Sequence, residues 1–445
     1  MPGTHDREIL RLAVPAFLTL AAEPLFLLAD AAIIGHLGTA PLAGLGIAAA
    51  VLQTVVGLCV FLAYGTTASV ARHLGAGDTR GALAQGIDGL WLAVAIGTVS
   101  TVVGVALTDQ LVGLFGAGEE VSEQASTYLR IALLGTTPLL VMLATTGVLR
   151  GLQDTRTPLY VAVGGNLLNV ALNVTLVYGL DLGIAGSAWG SVLAQVASAA
   201  VLTAVVVRAA RREQAPLRPD RPGILTAARA GVPLVVRTLT LRAALLVTTY
   251  AVTLAAADVT GQTVDLATHQ LAFTLWTFLA FVLDSIAIAA QALTGRYLGA
   301  GDVAGTRAVT DRMIRWGLWS GVATGLALAA ASPLLGPLFT PDAAVHDRLV
   351  AVLLVAALGQ PVAGVVFVLD GVLIGAGDGR YLAWGGVLVL LAYAPAALVG
   401  VLVGGGLLAV WVIFSALFMG ARLVILLRRA RGDAWLVTGI TAAAR

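Results

Sequence analysis

Few side chains that can carry chemistry lie within the long apolar runs of this chain, and one group of them falls in its first half. Asp30 lies near the end of the first apolar run. Asn169 and Asn173 lie four residues apart in the fifth run, so in a helix they share one face. Ser191 lies in the sixth run. Ionisable and strongly polar groups at membrane depth are costly, so this set marks a candidate site of function.

These side chains lie at similar depths. At a rise of about 1.5 Å per residue, Asp30 is about five residues, Asn173 about seven and Ser191 about eight residues from the predicted outer face of the membrane. Low dielectric favours a protonated carboxyl group, while hydrogen bonds to the charged form favour ionisation. An acid among amides and a hydroxyl can therefore hold or release a proton, which predicts a proton-coupling site. The alternative is that Asp30 only pairs with, or caps, groups near the interface.

Other charges and one proline also lie within apolar runs. Arg237 in the seventh run and Asp284 in the eighth lie at depths that suit a neutralising pair, which buried charges usually need. Contact with a substrate or ion is the alternative role for this pair. Asp370, in the tenth run, is interpreted as a helix-end contact. Pro15, which precedes Asp30, is expected to bend the first helix because it removes a backbone donor.

The composition determines which elements hold these residues. Of 445 residues, 59% are hydrophobic and 11% are charged, whereas soluble domains carry about 25% charged residues. Lipid must therefore be the solvent of the chain, and a spanning helix needs about 20 apolar residues. We predict twelve helices, over 8–35, 40–70, 79–107, 123–149, 157–180, 183–208, 224–256, 264–294, 305–331, 346–374, 381–403 and 406–427.

The charges of the loops predict the orientation. Arginine-rich loops alternate with acidic or neutral loops along the chain, and Arg130 and Arg348 are the exceptions. The positive-inside rule then places both termini in the cytoplasm. We expect a multi-pass protein of the inner (plasma) membrane. The single cysteine, Cys59, allows no disulfide framework.

The two halves of the chain repeat one another. Residues 72–78 read RHLGAGD and 296–302 read RYLGAGD, while 147–156 read GVLRGLQDTR and 371–380 read GVLIGAGDGR. Both pairs are offset by 224 positions, which indicates a single duplication. In LGAGD, we expect the glycine to end one helix and the aspartate to cap the next.

The duplication predicts the fold class and the domains. Six helices in each half make the repeats parallel, so we expect an all-α integral membrane protein of two six-helix lobes around a central cleft, the architecture of a secondary transporter. The predicted domains are an N-terminal lobe (1–210), a cytoplasmic linker (211–222), a C-terminal lobe (223–431) and a tail (432–445). A nucleotide-driven pump is not indicated, since no GxxxxGK[ST] motif occurs.

The sequence resembles a known family, the multidrug and toxic compound extrusion (MATE) transporters, and within it the DinF-like branch. The resemblance covers nearly the whole chain. It rests on the order and spacing of several motifs rather than on any one of them. These motifs are PLFLLADAAIIGHLG at 24–38, RHLGAGD, LRGLQDTRTP at 149–158, NLLNVALN at 166–173, RTLTLR at 237–242, RYLGAGD and DGVLIGAGD.

The resemblance implies a site in the first lobe and antiport of drugs, often lipophilic cations, against protons or sodium. The family's helix-1 aspartate matches Asp30 and its bending proline matches Pro15. Its helix-5 asparagine matches Asn169, and a hydroxyl on helix 6 matches Ser191, where better-studied relatives have threonine. Asn173 stands where some relatives have a second aspartate. With one carboxylate in the cluster, a proton is favoured over a sodium site that needs two acids.

We therefore expect a multidrug efflux antiporter, not an enzyme, coupled to protons and without catalytic residues, cofactor or metal. The expected partners are small-molecule drugs or metabolites and membrane lipids, with no nucleic acid, and we expect a monomer. The sequence leaves three alternative functions open. They are a sodium-coupled antiporter, a lipid-linked oligosaccharide flippase of the wider superfamily, and a channel or structural membrane protein.

Overall fold

A computed structural model describes residues 2–255 and 259–440 of the chain. Within these residues, twelve helices are long and apolar enough to cross a membrane, as predicted. They are α1 (His5–Gly35), α2 (Thr39–Gly75), α3 (Thr79–Ala106), α4 (Glu119–Gly151), α5 (Arg156–Gly179), α6 (Gly183–Arg212), α7 (Arg221–Ala255), α8 (Gly261–Gly299), α9 (Val303–Phe339), α10 (Ala343–Gly375), α11 (Gly379–Leu402) and α12 (Gly406–Arg431). Many large apolar side chains point away from the protein, for example Leu25 and Leu28, each 67% exposed, as expected of a chain whose solvent is lipid.

Several helices extend beyond their apolar runs. The α8 helix runs from Gly261 to Gly299, several residues past the predicted 264–294 at each end. The α9 helix continues to Phe339 instead of ending at 331. Hydropathy marks only the part of a helix that suits lipid, whereas backbone hydrogen bonding continues through polar turns until a cap ends it.

The duplicated LGAGD loops supply such caps. The Asp78 carboxylate accepts a hydrogen bond of 2.8 Å from the backbone N–H three residues on, and Asp302 accepts the equivalent bond at 2.7 Å. Gly77 and Gly301 precede them with φ of +76° and +74°, a conformation that favours glycine. The predicted turn chemistry is confirmed in both copies.

Four helices depart locally from regular α geometry. The α2 helix is interrupted at Val60, and α4 contains a 3₁₀ turn at Leu133–Gly135. The α5 helix ends in a π-turn at Thr175–Gly179, and α12 contains another at Phe414–Phe418. Such π-turns are frequent at functional sites, and the first of them directly follows the segment that carries Asn173.

The chain forms two compact units. The first unit comprises Val14–Gly231 with residues 439–440, and the second comprises residues 2–13 together with Val232–Thr438. Therefore α1 begins in the second unit and continues in the first, while α7 begins in the first and continues in the second. The predicted lobe boundaries stay a prediction.

The two arginines that break the loop-charge pattern are both paired with acids. Arg130 donates to the two carboxylate oxygens of Asp109 at 2.9 and 3.0 Å. Arg348 forms an ion pair with Asp265. Both exceptions to the loop-charge pattern are therefore ion-paired in the structure.

Candidate functional site

The candidate site is built around Asp30, whose side chain is buried within the first unit. Its Oδ1 accepts hydrogen bonds from Asn173 Nδ2 at 2.5 Å and from Ser187 Oγ at 2.8 Å. Its Oδ2 accepts a hydrogen bond from the hydroxyl of Tyr128 at 3.2 Å. Four helices, α1, α4, α5 and α6, each contribute one of these side chains.

A second layer of hydrogen bonds orients the amides. Asn173 Nδ2 also donates to Asn169 Oδ1 at 3.1 Å, and Asn169 Nδ2 donates to Ser191 Oγ at 3.0 Å. Both N–H groups of Asn173 are therefore used, which fixes the direction of its amide. The result is a short chain of hydrogen bonds that links α6, α5 and α1, in which Asn173 donates both toward the carboxylate and toward Asn169.

Close approach of α5 and α6 makes this arrangement possible. A Cβ atom at Gly190 would lie 2.2 Å from Asn173 Oδ1, so only a glycine fits opposite that amide. One turn earlier, a Cβ atom at Gly186 would lie 2.8 Å from the backbone of Leu176. Leu176 belongs to the π-turn, so the irregular end of α5 rests against the glycine face of α6.

All four side chains predicted for the ion-linked cluster, those of Asp30, Asn169, Asn173 and Ser191, lie together in the structure. Sequence reasoning missed two others. Ser187 could have been found, because it lies one helical turn before Ser191 and shares its face. Tyr128 gave no usable signal, since a single tyrosine in an apolar helix usually reflects packing.

The electrostatics of the site are unusual for a buried acid. Among the described residues, every hydrogen-bond donor to Asp30 is neutral, and no cation lies within ion-pair distance. Buried charges are normally paired, so this carboxylate depends on three neutral donors when ionised. In addition, the buried Asn173 Oδ1 has no hydrogen-bond partner in the described part of the chain. The site therefore has a free acceptor beside an acid that can take up a proton.

Most of the equivalent positions in the second repeat are apolar or aromatic, and of the four predicted cluster residues only Ser191 keeps its residue type, as Ser415. At the offset of 224, Asp30 corresponds to Leu254 and Asn173 to Ala397. The positions of Asn169, Ser187 and Gly190 are occupied by buried aromatic side chains, namely Tyr393, Trp411 and Phe414. Their rings pack together, with centroids 5.8 Å apart for Trp411 and Phe414 and 6.3 Å apart for Tyr393 and Phe414. The second copy thus has a packed aromatic cluster where the first has polar groups.

The buried charges of the second unit form a different kind of cluster. Arg237 donates through Nε to Asp370 at 3.2 Å and forms an ion pair with it through Nη2. Arg422, which sequence reasoning did not single out, donates to the same carboxylate at 2.9 Å. Asp370 is therefore a buried ion-pair partner of two arginines, beyond the simple helix-end contact expected for it. The predicted pairing of Arg237 with Asp284 stays a prediction.

Pro15 lies on α1 at the point where the helix passes from the second unit to the first. The helix runs through both Pro15 and Pro24. The side chain of Thr19 donates to the backbone oxygen of Pro15 at 2.9 Å. The predicted bend at Pro15 stays a prediction.

Twelve helices able to span a membrane in a duplicated chain, with a buried carboxyl group in one copy, define a multi-pass membrane protein of the transporter class. Residues 15–175 and 241–399 match the MatE family. These two segments cover well over half of the chain, so the protein belongs to the MATE family. The resemblance found in the sequence is confirmed, and because the family consists of transporters, the protein is not an enzyme.

Three similar proteins illustrate this membership. Protein DETOXIFICATION 44, chloroplastic, from Arabidopsis thaliana is 31% identical, over 95% of this chain and 81% of its own length. DNA damage-inducible protein F from Escherichia coli (strain K12) is 30% identical, over 67% of this chain and 65% of its own length. A solved outward-facing conformation of a multidrug resistance MATE family transporter of the MOP superfamily has a TM-score of 0.87 at 23% identity, covering 97% of this chain and 96% of that chain. This last likeness concerns the fold.

Proposed function

We propose that the protein is a secondary multidrug efflux antiporter that exports lipophilic, often cationic compounds in exchange for protons. Asp30 is the proton-coupling residue, held by Asn173, Asn169 and Ser191 in the first unit. The observation that carries this proposal is the buried Asp30 carboxylate, which is surrounded by neutral donors and has no cationic partner among the described residues.

The chemistry of the cluster suits reversible protonation. Burial opposes the charge of this carboxylate while three neutral donors stabilise it, so no countercharge fixes the acid in one protonation state. A cationic partner would instead favour the ionised form. Asp370, with two arginines on one carboxylate, is the contrasting case in the same protein.

Protonation of Asp30 changes what its neighbours can do. A protonated carboxyl group donates one hydrogen bond, and the oxygen of Asn173 is an acceptor without a partner beside it. Rotation of that amide would satisfy the new donor but would break the bond from Asn173 Nδ2 to Asn169 Oδ1. Proton binding thus rearranges the contacts between α1 and α5. In the proposed cycle α1 then bends at Pro15, the first-lobe cavity shrinks and the drug is expelled.

The asymmetry of the duplication supports a single coupling site of this type. The repeat positions of Asp30 and Asn173 are Leu254 and Ala397, neither of which can bind a proton. One carboxylate in the cluster also favours a proton over sodium, because hard cations are held by several oxygen ligands that include carboxylates.

The proposal extends to location and partners. The protein resides in the inner (plasma) membrane with both termini in the cytoplasm, as a monomer, and it binds small-molecule drugs or metabolites within a lipid environment. Relatives with other locations exist, for example Protein DETOXIFICATION 44, chloroplastic. Reporter fusions at each terminus test the orientation proposed here.

The decisive experiment is drug transport by purified protein in liposomes, with pH and sodium gradients imposed separately. The wild type is expected to respond to the pH gradient, and Asp30→Asn to lose this response while still inserting in the membrane. Asp109→Asn is the matched control, because Asp109 is an exposed acid paired with Arg130. Unaltered proton-driven transport by Asp30→Asn would overturn the proposal.

Other results of the same experiment identify the alternatives. Transport driven by sodium alone indicates a sodium-coupled antiporter. Leak without any gradient indicates a channel. Movement of a lipid-linked oligosaccharide in place of drug indicates a flippase.

A further inference from the structure

The N-terminal segment of α1 is held by a dense set of polar contacts that the coupling site does not use. The Asp6 carboxylate accepts hydrogen bonds from Arg312 Nε at 2.5 Å and Nη2 at 2.6 Å. It also accepts a bond from Trp316 Nε1 at 2.8 Å. A bidentate arginine pair of this kind is among the stronger and more directional contacts in proteins. Both partners lie on α9.

A second acid, two residues further along α1, binds another helix. Glu8 accepts a hydrogen bond from Arg296 Nη2 at 3.1 Å and lies 3.4 Å from the hydroxyl of Tyr297, both on α8. Beyond these acids, Ile9 and Leu12 are almost completely buried. Residues 5–13 are thus fixed by charge and by apolar packing, and we refer to these contacts as the N-terminal clamp.

The clamp and Asp30 lie on one helix but in different units. All clamp contacts fall within the second unit, which includes the chain up to Ala13. From Val14 onward the same helix belongs to the first unit, where it carries Asp30. Because these residues lie on one continuous helix, a rearrangement at Asp30, including the bend proposed at Pro15, acts against the clamped end of that helix.

The repeat shows a related but weaker arrangement at α7. Asp88 occupies the position equivalent to Arg312, at the offset of 224. Its carboxylate accepts a hydrogen bond of 3.1 Å from the backbone N–H of Asp220, just before α7. This contact lies within the first unit, to which the start of α7 belongs. The start of each of these helices therefore belongs to one unit and the rest to the other. Among the described residues, ion pairs hold the start of α1 but not that of α7.

We propose that Asp6 and Arg312 are positioning residues for proton coupling: the N-terminal clamp anchors one end of α1, so that rearrangement around Asp30 is converted into movement of the second unit. The inference rests on the proposed proton-coupled function. A helix with a loose end would accommodate the change at Asp30 by shifting alone, and the proton would no longer be linked to export.

The test compares clamp variants with a matched ion pair elsewhere in the second unit. Asp6→Asn and Arg312→Gln break the clamp, and Trp316→Phe removes a single donor as a milder change. The control is Asp378→Asn, because Asp378 also binds an arginine through two bonds, from Arg429 at 2.6 and 3.2 Å, on helices other than α1. The measurements are proton-driven drug transport in liposomes, drug affinity in detergent and melting temperature.

The clamp variants are expected to transport about tenfold more slowly, a size typical of coupling between sites, with drug affinity unchanged. The transport rate of Trp316→Phe is expected to lie between that of the clamp variants and that of the wild type. The control is expected to lower the melting temperature while retaining transport. Transport by Asp6→Asn at the wild-type rate would overturn the inference. It would also be overturned if transport rates fell in proportion to melting temperature in the clamp and control variants alike.

Hydrogen exchange separates this inference from the proposed function. At one fixed pH, Asp30→Asn is expected to change the exchange of backbone amides in residues 5–13, and this effect is expected to disappear when Asp6→Asn is added. If Asp30→Asn retains proton-driven transport, the proposed function fails. If Asp30→Asn abolishes transport but leaves exchange of residues 5–13 unaltered, only the clamp inference fails.

Discussion

The side-chain amide of Asn173 donates a 2.5 Å hydrogen bond to the carboxylate of Asp30, while its own oxygen has no partner among the described residues. The same amide also donates to Asn169. The amide therefore presents its N–H group to Asp30, which suits an ionised acid. A protonated Asp30 would need the amide oxygen of Asn173 as an acceptor instead. This makes Asn173 the residue most directly coupled to the charge of Asp30.

Replacement of Asn173 by aspartate is expected to move proton-driven transport to higher pH. Two carboxylates at this separation cannot both ionise readily, so they hold one shared proton more tightly. We expect the pH of half-maximal transport to rise by about one unit or more. The pH profile of drug transport in liposomes is the measurement.

Asn166→Asp is the matched control for this change. Asn166 lies on the same helix but donates to the backbone oxygen of Ala22 at 3.1 Å rather than to the acid. The control is expected to keep the wild-type pH profile. An identical shift in both variants would show that any added charge on α5 has this effect, and it would contradict the specific role of Asn173.

Ser187→Ala removes one of the three donors to Asp30 and is expected to shift transport in the same direction. The lost bond of 2.8 Å stabilises the ionised acid, and a hydrogen bond to a charged group contributes about 1.5–3 kcal/mol. Because one pH unit corresponds to about 1.4 kcal/mol, we expect an upward shift of about one unit. Ser198→Ala, on the same helix, should leave the profile unchanged, and a downward shift for Ser187→Ala would refute the assignment.

Much of this site was visible in the sequence because it depends on helical spacing. Asn169 and Asn173 share a face of α5, and depth estimates placed Asp30 and Ser191 near them. Spacing cannot show which face of a helix meets which neighbour, so Tyr128 on α4 was missed. The duplication was equally visible in the loops, where glycine and aspartate have a local role that tertiary contacts do not alter.

The N-terminal clamp shows what sequence reasoning could not reach. Asp6 and Arg312 are separated by 306 positions, and each looks like an ordinary charge at the end of a helix. Their pairing depends on where α1 starts relative to α9, which no local pattern encodes. For the same reason, Arg422 was not recognised as a partner of Asp370.

Gly190→Ala is expected to disrupt the site through packing alone. The new Cβ atom would lie 2.2 Å from Asn173 Oδ1 and 3.1 Å from its backbone nitrogen, so α5 and α6 must move apart. Such overpacking costs about 1–3 kcal/mol, and we expect a lower melting temperature and loss of most transport.

Gly164→Ala provides the control, because a Cβ atom there meets nothing within 4 Å. Since alanine favours a helix over glycine, this variant should be as stable as the wild type or slightly more so. Gly190→Ala with full transport would show that the distance between α5 and α6 does not matter for coupling.

The caps of the duplicated loops predict a pH-dependent stability effect. Asp78→Ala should lower the free energy of unfolding by about 0.5–2 kcal/mol. Asp78→Asn should lower it much less, because asparagine can also cap a helix N-terminus. The backbone N–H of Gly81 and the ring of His73 hold the pKa of Asp78 below its usual value. This stabilisation is full above the ordinary carboxyl pKa of about 3.9 and is lost as the pH falls through the lowered value. Melting curves of wild type and Asp78→Ala should therefore differ at pH 7 and converge in acid, and a constant difference would contradict the cap.

Asp30 and Asp370, which are both buried, are expected to respond oppositely to neutralisation. Asp370→Asn leaves Arg422 buried without its carboxylate and weakens the hold on Arg237, and loss of one partner of a buried ion pair costs about 3–5 kcal/mol. Asp30→Asn removes a charge that has no cationic partner among the described residues, so it should keep or raise stability while it abolishes proton-driven transport. Thermal unfolding in detergent and transport in liposomes, measured on both variants, give the comparison. A stable Asp370→Asn protein without proton-driven transport, beside an active Asp30→Asn protein, would move the coupling site to the second unit.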